Sequence, residues 1–246
     1  MNDFKFKQFS VAQQGVAMRV NTDGVLLGAW IRLPDRADTP KVLDIGTGSG
    51  VIALMLAQRL DAVYPSQNFL VDALEPHATS VQRALENFNR APWSSCMRVF
   101  NSTLQKHART SQTMAYDLIA SNPPYFENSL RPPAQDRSWV RHTDLLSYVD
   151  LIQGVVSLLH PLGRFGLILP IHQQERFLEL AGRGGLFCTR QTCVYTLPHK
   201  APKRVLMEFS LLKGALLHDS LCIHGTRSTD FSDAYKKLLH DFYLAF

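Results

Sequence analysis

The chain has 246 residues and 46% hydrophobic content, enough to bury a sizeable core without a second domain. Lys and Arg number 26 against 21 Asp and Glu, a net charge of +5 that an ordinary basic surface would explain without nucleic acid. Cys96, Cys188, Cys193 and Cys222 form no C-x-x-C pair, so no disulfide framework and no metal site is expected. The first residues, Met1-Asn2-Asp3-Phe4-Lys5, lack the apolar core of a signal peptide, and no run is long enough to span a bilayer. The expectation is a cytoplasmic protein.

In chain order, a short N-terminal element over 4–20 precedes Asn21-Thr22-Asp23 and an apolar run from Val25 to Ile31. Thr22 and Asp23 suit a helix N-cap before that run. Lys41-Val42-Leu43-Asp44-Ile45 then reads as a buried strand, and Val51 to Ala57, with Leu60, as an apolar helix. Between them Gly46, Gly48 and Gly50 permit a tight turn and a close backbone approach to a ligand. The helix start adds unpaired N–H donors for an anionic group. A nicotinamide-binding loop wants G-x-G-x-x-G; here the spacing is G-x-G-x-G and position 51 is Val, which disfavours a dinucleotide.

A second strand over 69–74 runs into Glu75. In a doubly wound sheet a carboxylate at that point faces the ligand crevice and can accept from ribose hydroxyls; the alternative is a solvated Glu before Pro76, capping the helix over 77–88. Asp72 sits mid-strand, on a face the pattern does not assign. A third strand over 97–101 ends at Asn101, Ser102 and Thr103, an amide and two hydroxyls with no carboxylate. A fourth, Tyr116 to Ser121, delivers Asn122-Pro123-Pro124-Tyr125-Phe126 to the same edge.

That turn carries a definite chemistry. An exocyclic amine on adenine is a poor nucleophile because its lone pair is delocalised into the ring. Two acceptors aimed at its N–H bonds, the Asn122 side-chain oxygen and the Pro123 carbonyl, would bias the nitrogen towards pyramidal geometry and free the lone pair for in-line attack on a methyl carbon. Pro123 and Pro124 fix φ and stiffen the turn. Tyr125 and Phe126 offer faces on which a flipped base can stack.

The stretch over 127–143, with Arg131, Arg137 and Arg141, reads as a loop, and one that long is more often functional or disordered than idle. A helix over 144–159, a strand over 163–170 and a helix over 172–182 follow. Strands over 186–196 and 204–212 have no helix between them, which fits a terminal hairpin inserting an antiparallel strand into a parallel sheet. From Leu180 to Met207 there is no Asp or Glu, while Arg183, Arg190, Lys200, Lys203 and Arg204 fall there beside His199. If 196–204 forms a loop at the carboxyl edge of the sheet, this cluster suits phosphate contacts, and Lys5, Lys7 and Arg19 could extend it.

With D-I-G-T-G-S-G followed by S-N-P-P-Y-F, the chain resembles the class I S-adenosylmethionine-dependent methyltransferases that modify exocyclic or amide nitrogens. Asn21 to Trp30, Pro202 to Ser210 and the ending from Phe231 to Leu244 narrow the resemblance to the bacterial tRNA1(Val) adenine-N6-methyltransferase family, over nearly the whole chain. The resemblance implies an α/β Rossmann-like fold: a mostly parallel seven-stranded sheet with one antiparallel strand and helices on both faces. It implies one domain, with 1–40 as a cap over the cofactor cleft and 41–246 as the core. S-adenosylmethionine would be the cofactor and tRNA the substrate, with no membrane and no obligate protein partner. Thr22 and Asp23 would border the methionine end of the cofactor, Asp44 and the three glycines would cradle it, Glu75 would hold its ribose, and Ser102 would lie near its adenine. Asn122, Pro123 and Tyr125 would carry the chemistry, with Asn122 also beside the cofactor. Tyr125, Phe126, Arg141, Lys200, Lys203 and Arg204 would hold the RNA. Asn101 and Ser102 depart from the acidic pattern often seen after strand three.

Three classes of function compete. The first is an adenine-N6 methyltransferase acting on tRNA, or on another exocyclic nitrogen in rRNA or DNA. The second is a methyltransferase for a protein glutamine amide, which would be expected to carry a helical recognition domain ahead of the glycine loop; 40 residues are too few. The third is a non-catalytic RNA-binding module, which would need no NPPY turn beside a cofactor loop.

Overall fold

A computed structural model of the chain describes residues 3–16, 18–35, 38–64, 68–110, 115–123 and 146–246. Among these, a sheet of eight strands runs in the order β10-β8-β9-β7-β6-β3-β4-β5. Its left-hand members in that order are β10 (Leu217–Cys222), β8 (Phe187–Tyr195), β9 (Arg204–Ser210) and β7 (Leu159–Pro170). The other four are β6 (Tyr116–Ser121), β3 (Lys41–Ile45), β4 (Leu70–Glu75) and β5 (Met97–Asn101). Only β9 runs against its neighbours, pairing antiparallel with both β7 and β8. The expected antiparallel strand and terminal hairpin are therefore present. The expected count of seven is corrected to eight, because β10 adds to the outer edge in parallel with β8. Four of its first residues are exposed, His218, Asp219 and Ser220 among them, so it carries little of the apolar signal that marks a buried strand.

Alternation along the strands splits the core in two. Val42, Val71, Leu118 and Ile168 face one side, where α1 (Thr22–Trp30), α2 (Val51–Val63), α3 (Ala78–Arg90) and α7 (Asp233–Leu239) pack. Leu43, Leu74, Ile119 and Leu167 face the other, under α4 (Leu104–Thr110), α5 (Tyr148–Leu158) and α6 (Gln174–Arg183). Helix α2 is buried along nearly all of Val51 to Leu60, which is why its sequence is apolar all round. Helix α3 instead buries Ser80, Ala84, Asn87 and Phe88, one stripe at helical spacing, and turns charged residues outward.

The helix from Thr22 is capped by Asn21, whose side-chain oxygen accepts from the Gly24 N–H at 2.9 Å. The cap thus lies one residue before the expected Thr22-Asp23, which occupy the first turn. Helices α1 and α2 meet through glycine: a Cβ on Gly24 would lie 3.4 Å from Val51 Cγ1, and one on Gly28 would lie 2.9 Å from Met55 Sδ. The N-terminal ribbon of β1 (Phe4–Lys5) and β2 (Ser10–Val11) then leads into a segment held by Asn87. That side chain accepts from Ala12 N at 2.9 Å and donates to Ala12 O at 3.1 Å and Ser49 O at 2.8 Å.

Candidate active site

The parallel strands deliver the motif residues to one edge. Ile45 at the end of β3 is in register with Ser121 at the end of β6, and the Ser121 hydroxyl donates to Ile45 O at 3.0 Å. The next residues on these neighbouring strands are Gly46 and Asn122, so glycine loop and NPPY turn begin about one strand spacing apart, roughly 4.8 Å. Register Ile45↔Leu74 brings Glu75 to the same edge from the other side.

The glycine loop is built by backbone geometry. Gly46, Gly48 and Gly50 have φ of 73°, 56° and 87°, a region that side chains with a Cβ resist. A Cβ on Gly50 would sit 2.5 Å from Phe88 Cε1, so the loop needs glycine there for packing as well. At Gly46 and Gly48 a Cβ would meet nothing within 4 Å: the loop presents bare backbone to open space. Gly46 N and Thr47 N both donate to Leu74 O, at 2.9 and 3.0 Å, which pins the turn to β4.

Two buried carboxylates hold this loop. Asp44 is fully buried; its Oδ2 accepts from the Thr47 hydroxyl at 2.6 Å and Ala53 N at 3.3 Å, while Oδ1 has no hydrogen-bond partner among the described residues. Burial pushes the Asp44 carboxyl up to about 7, opposed by those two hydrogen bonds and assisted by nearby Glu75. An unsatisfied buried acceptor is costly, of order 1–3 kcal/mol. A ligand bearing an ammonium group would relieve it. Glu75 is 5% exposed, its Oε2 accepting from Gly48 N and its Oε1 from His77 N, both at 3.0 Å. The carboxylate is thereby fixed with lone pairs still free for hydroxyl donors. Bare positive-φ backbone, an orphaned buried acceptor and an oriented carboxylate fit S-adenosylmethionine, with its ammonium and ribose hydroxyls.

Asn122 is half-buried and Pro123 buried. The Asn122 amide nitrogen lies 3.9 Å from the Met18 sulfur, so the N-terminal segment leading into α1 reaches the NPPY turn. Tyr125, Phe126, Arg141 and the stretch over 127–143 lie outside the described residues.

The third strand's end serves structure. The Asn101 amide donates to Glu75 O at 3.1 Å and Pro76 O at 2.9 Å, and the Ser102 hydroxyl to Thr103 O at 3.1 Å. Asp72 points to the α4 side, where it binds Arg98 at 2.7 and 3.0 Å and accepts from Tyr116 at 2.9 Å. The Tyr116 hydroxyl is also 3.0 Å from His107 Nε2. Burial lowers the His107 pKa and raises that of Tyr116.

The acid-free run is dispersed by the fold. Arg183 pairs with Glu179 at 2.6 Å, one helical turn back on α6. Arg190 lies over the Trp30 ring at 4.3 Å and pairs with Asp219 at 3.2 Å. Lys200 and Lys203 are exposed on the hairpin over 196–203, at the carboxyl edge as expected, since Arg204 pairs with Pro170 at the end of β7. Arg204, however, donates from Nε to Asp23 Oδ2 at 2.7 Å. Lys7 donates to His240 O at 2.5 Å and Phe246 O at 2.6 Å, tying the ribbon to the chain's end and away from the basic hairpin. Arg19 is exposed just before α1.

Sequence reasoning passed over Asn87 and Thr47. Asn87 was detectable as an amide on the buried stripe of an amphipathic helix, where an apolar residue is the rule.

Comparison with known proteins agrees with this geometry. Residues 28–136 match the methyltransferase small domain family. A tRNA1(Val) (adenine(37)-N6)-methyltransferase of Bacteroides fragilis is 42% identical over 241 residues, covering 98% of this chain and 97% of its own length. One of Trichodesmium erythraeum is 43% identical over 245 residues, covering 100% of this chain and 99% of its own length. Among solved structures, one described as a predicted O-methyltransferase from Agrobacterium tumefaciens has a TM-score of 0.69 at 18% identity, over 89% of this chain and 96% of that one. Geranyl diphosphate C-methyltransferase from Streptomyces coelicolor has a TM-score of 0.51 at 11% identity, over 72% and 73%. These last two share the fold. With relatives at 42% and 43% identity over 97% and 99% of their lengths, the chain belongs to the tRNA1(Val) (adenine(37)-N6)-methyltransferase family.

Proposed function

We propose that this protein transfers a methyl group from S-adenosylmethionine to the exocyclic nitrogen of an adenine in tRNA, A37 in the anticodon loop of tRNA(Val). The observation that carries the reading is the Ile45↔Ser121 register, which starts the glycine loop and the NPPY turn side by side. The names of relatives matching along their whole length supply the substrate. The chain acts as one methyltransferase domain, with 1–40 as a cap on the core over 41–246. It works in the cytoplasm, and no helix among the described residues is long and apolar enough to cross a membrane.

When bound, S-adenosylmethionine supplies an electrophilic methyl group on a sulfonium. The protein supplies position. Asp44 Oδ1 accepts from the ammonium, the backbone of Gly46 to Gly50 lies against the ligand, and Glu75 accepts from the ribose hydroxyls. Thr22 and Asp23, in the first turn of α1, border the methionine end, and Ser102 lies on the adenine side. The Asn122 side-chain oxygen and the Pro123 carbonyl would accept hydrogen bonds from the two N–H groups of the target amine and stabilise the positive charge that develops on its nitrogen, which then loses one proton to water. Tyr125 and Phe126 stack on the base, and a loop base is cheaper to extract than one in a duplex. Lys200 and Lys203, with Arg141, contact phosphates.

The test is incubation of the purified protein with labelled S-adenosylmethionine and total tRNA from a strain lacking it, followed by mapping of the product. N6-methyladenosine at position 37 of tRNA(Val) is expected. Faster labelling of free adenine, rRNA, DNA or a protein amide overturns the assignment.

A further inference from the structure

Arg204 is the first residue of β9 and belongs, by sequence, to the basic hairpin. Its backbone is locked in the ladder between Pro170 of β7 and Val194 of β8. The base of the hairpin is closed by Ile171 N to Lys203 O at 3.1 Å and Lys203 N to Val194 O at 3.0 Å. From this fixed point its Nε meets Asp23 at 2.7 Å, with both side chains partly buried (33% and 17% exposed), while the same guanidinium donates to Lys203 O at 3.2 Å. Asp23 lies in the first turn of α1, directly after the Asn21 cap. That turn has little freedom to settle elsewhere, because Gly24 packs on Val51 and Ile52, the first residues of α2 beyond the glycine loop. A shift of the start of α1 would therefore be transmitted to the loop that cradles the cofactor.

We infer that Arg204 is a positioning residue for the cofactor cradle, acting through Asp23: the sheet edge that carries the RNA-facing hairpin also holds the first turn of α1 against the glycine loop. This rests on the first turn of α1 bordering the cofactor. A planar guanidinium with several donors on a rigid strand suits such a fixed pairing better than a mobile phosphate contact. Lys200 and Lys203, exposed beyond the ladder, suit phosphate contacts.

The test is a double-mutant cycle read by calorimetry with S-adenosylmethionine, alongside the salt dependence of tRNA binding. Arg204→Gln and Asp23→Asn should each weaken cofactor binding about fivefold to tenfold, and the double variant no more than the worse single one. Arg204→Lys keeps a cation on the strand but not the planar fork and should show the same loss in weaker form, so a folding defect of Arg204→Gln leaves the test standing. The salt slope for tRNA should be the wild-type one in Arg204→Gln. A slope lowered by about one, whatever happens to cofactor binding, makes Arg204 a phosphate contact and overturns the inference. So do effects that add in the double variant, or an unchanged cofactor affinity in Arg204→Gln. Wild-type transfer to tRNA is measured separately, so failure of the functional assignment is distinguishable from failure of the cycle.

Discussion

The two halves of the sheet edge are built on different principles. The half proposed to hold the cofactor, from β3 to β5, is made of backbone and buried polar groups. Gly46 to Gly50 are pinned to β4, Asp44 and Glu75 are buried, and Asn87 ties the N-terminal segment to the loop. The half proposed to face the substrate, from β6 to β10, offers a stiff Asn-Pro turn and then exposed cations on a hairpin. A small ligand of fixed shape rewards a site formed in advance, because nothing need be ordered on binding. A large polyanion is drawn by charge and tolerates mobile side chains. The two ligands should therefore respond to different mutations and to different conditions.

The largest effect expected is on transfer itself. Asn122→Ala removes the acceptor proposed for the target amine, and loss of one such oriented group should cost about 10²–10³ in rate. Cofactor affinity should stay within a few-fold, as measured by calorimetry beside single-turnover methylation. Near-normal turnover would dissolve the division, since the substrate half would then hold no chemistry. Glu75→Ala attacks the other half. It strips the anchor for Gly48 and His77 together with the proposed ribose contact, and should weaken S-adenosylmethionine by about 1–3 kcal/mol. Unchanged calorimetric affinity in a folded variant would remove Glu75 from the site.

Replacing Lys200 and Lys203 by Ala together should lower the salt slope of tRNA binding by about 1.5 and leave the cofactor isotherm alone. A wild-type slope would move the RNA surface elsewhere. The smallest effect sharpens the comparison through pH. Asp44 carries a carboxyl raised from 3.8 to about 7. As pH climbs through that window the unfolded chain gives up this proton while the folded protein keeps it, so stability declines across it and levels off above about 7. An ammonium beside Asp44 favours the ionised form, so cofactor affinity should rise with pH through about 7 and then flatten. In Asp44→Asn both dependences should be reduced, as denaturation and calorimetry over a pH series would reveal. A profile identical to wild type would show that the orphaned oxygen does not face the cofactor.

How much of this was legible in the sequence depended on whether a residue acts alone or through a partner. The apolar strand, the three glycines and the Asn-Pro-Pro turn announce themselves, because turn geometry and burial are local demands. The eighth strand did not, since an exposed edge strand such as β10 needs no apolar alternation. Asp23 and Arg204 each looked like a ligand contact, and only the fold brings them to 2.7 Å. Charge density along the chain misled in the same way: Arg183 and Arg190 share an acid-free run with Lys200, yet one is spent on Glu179 and the other on Trp30 and Asp219. Asp72 could not be placed from its strand alone, because its partners Arg98 and Tyr116 come from β5 and β6.

The division itself is tested most directly by titrating each ligand alone into two variants, Glu75→Ala and the Lys200→Ala, Lys203→Ala pair. Glu75→Ala should lose S-adenosylmethionine affinity and keep wild-type tRNA affinity, while the lysine pair should do the reverse. Loss of both affinities in either variant would contradict a molecule built as a preformed cofactor cradle beside a separate electrostatic RNA surface.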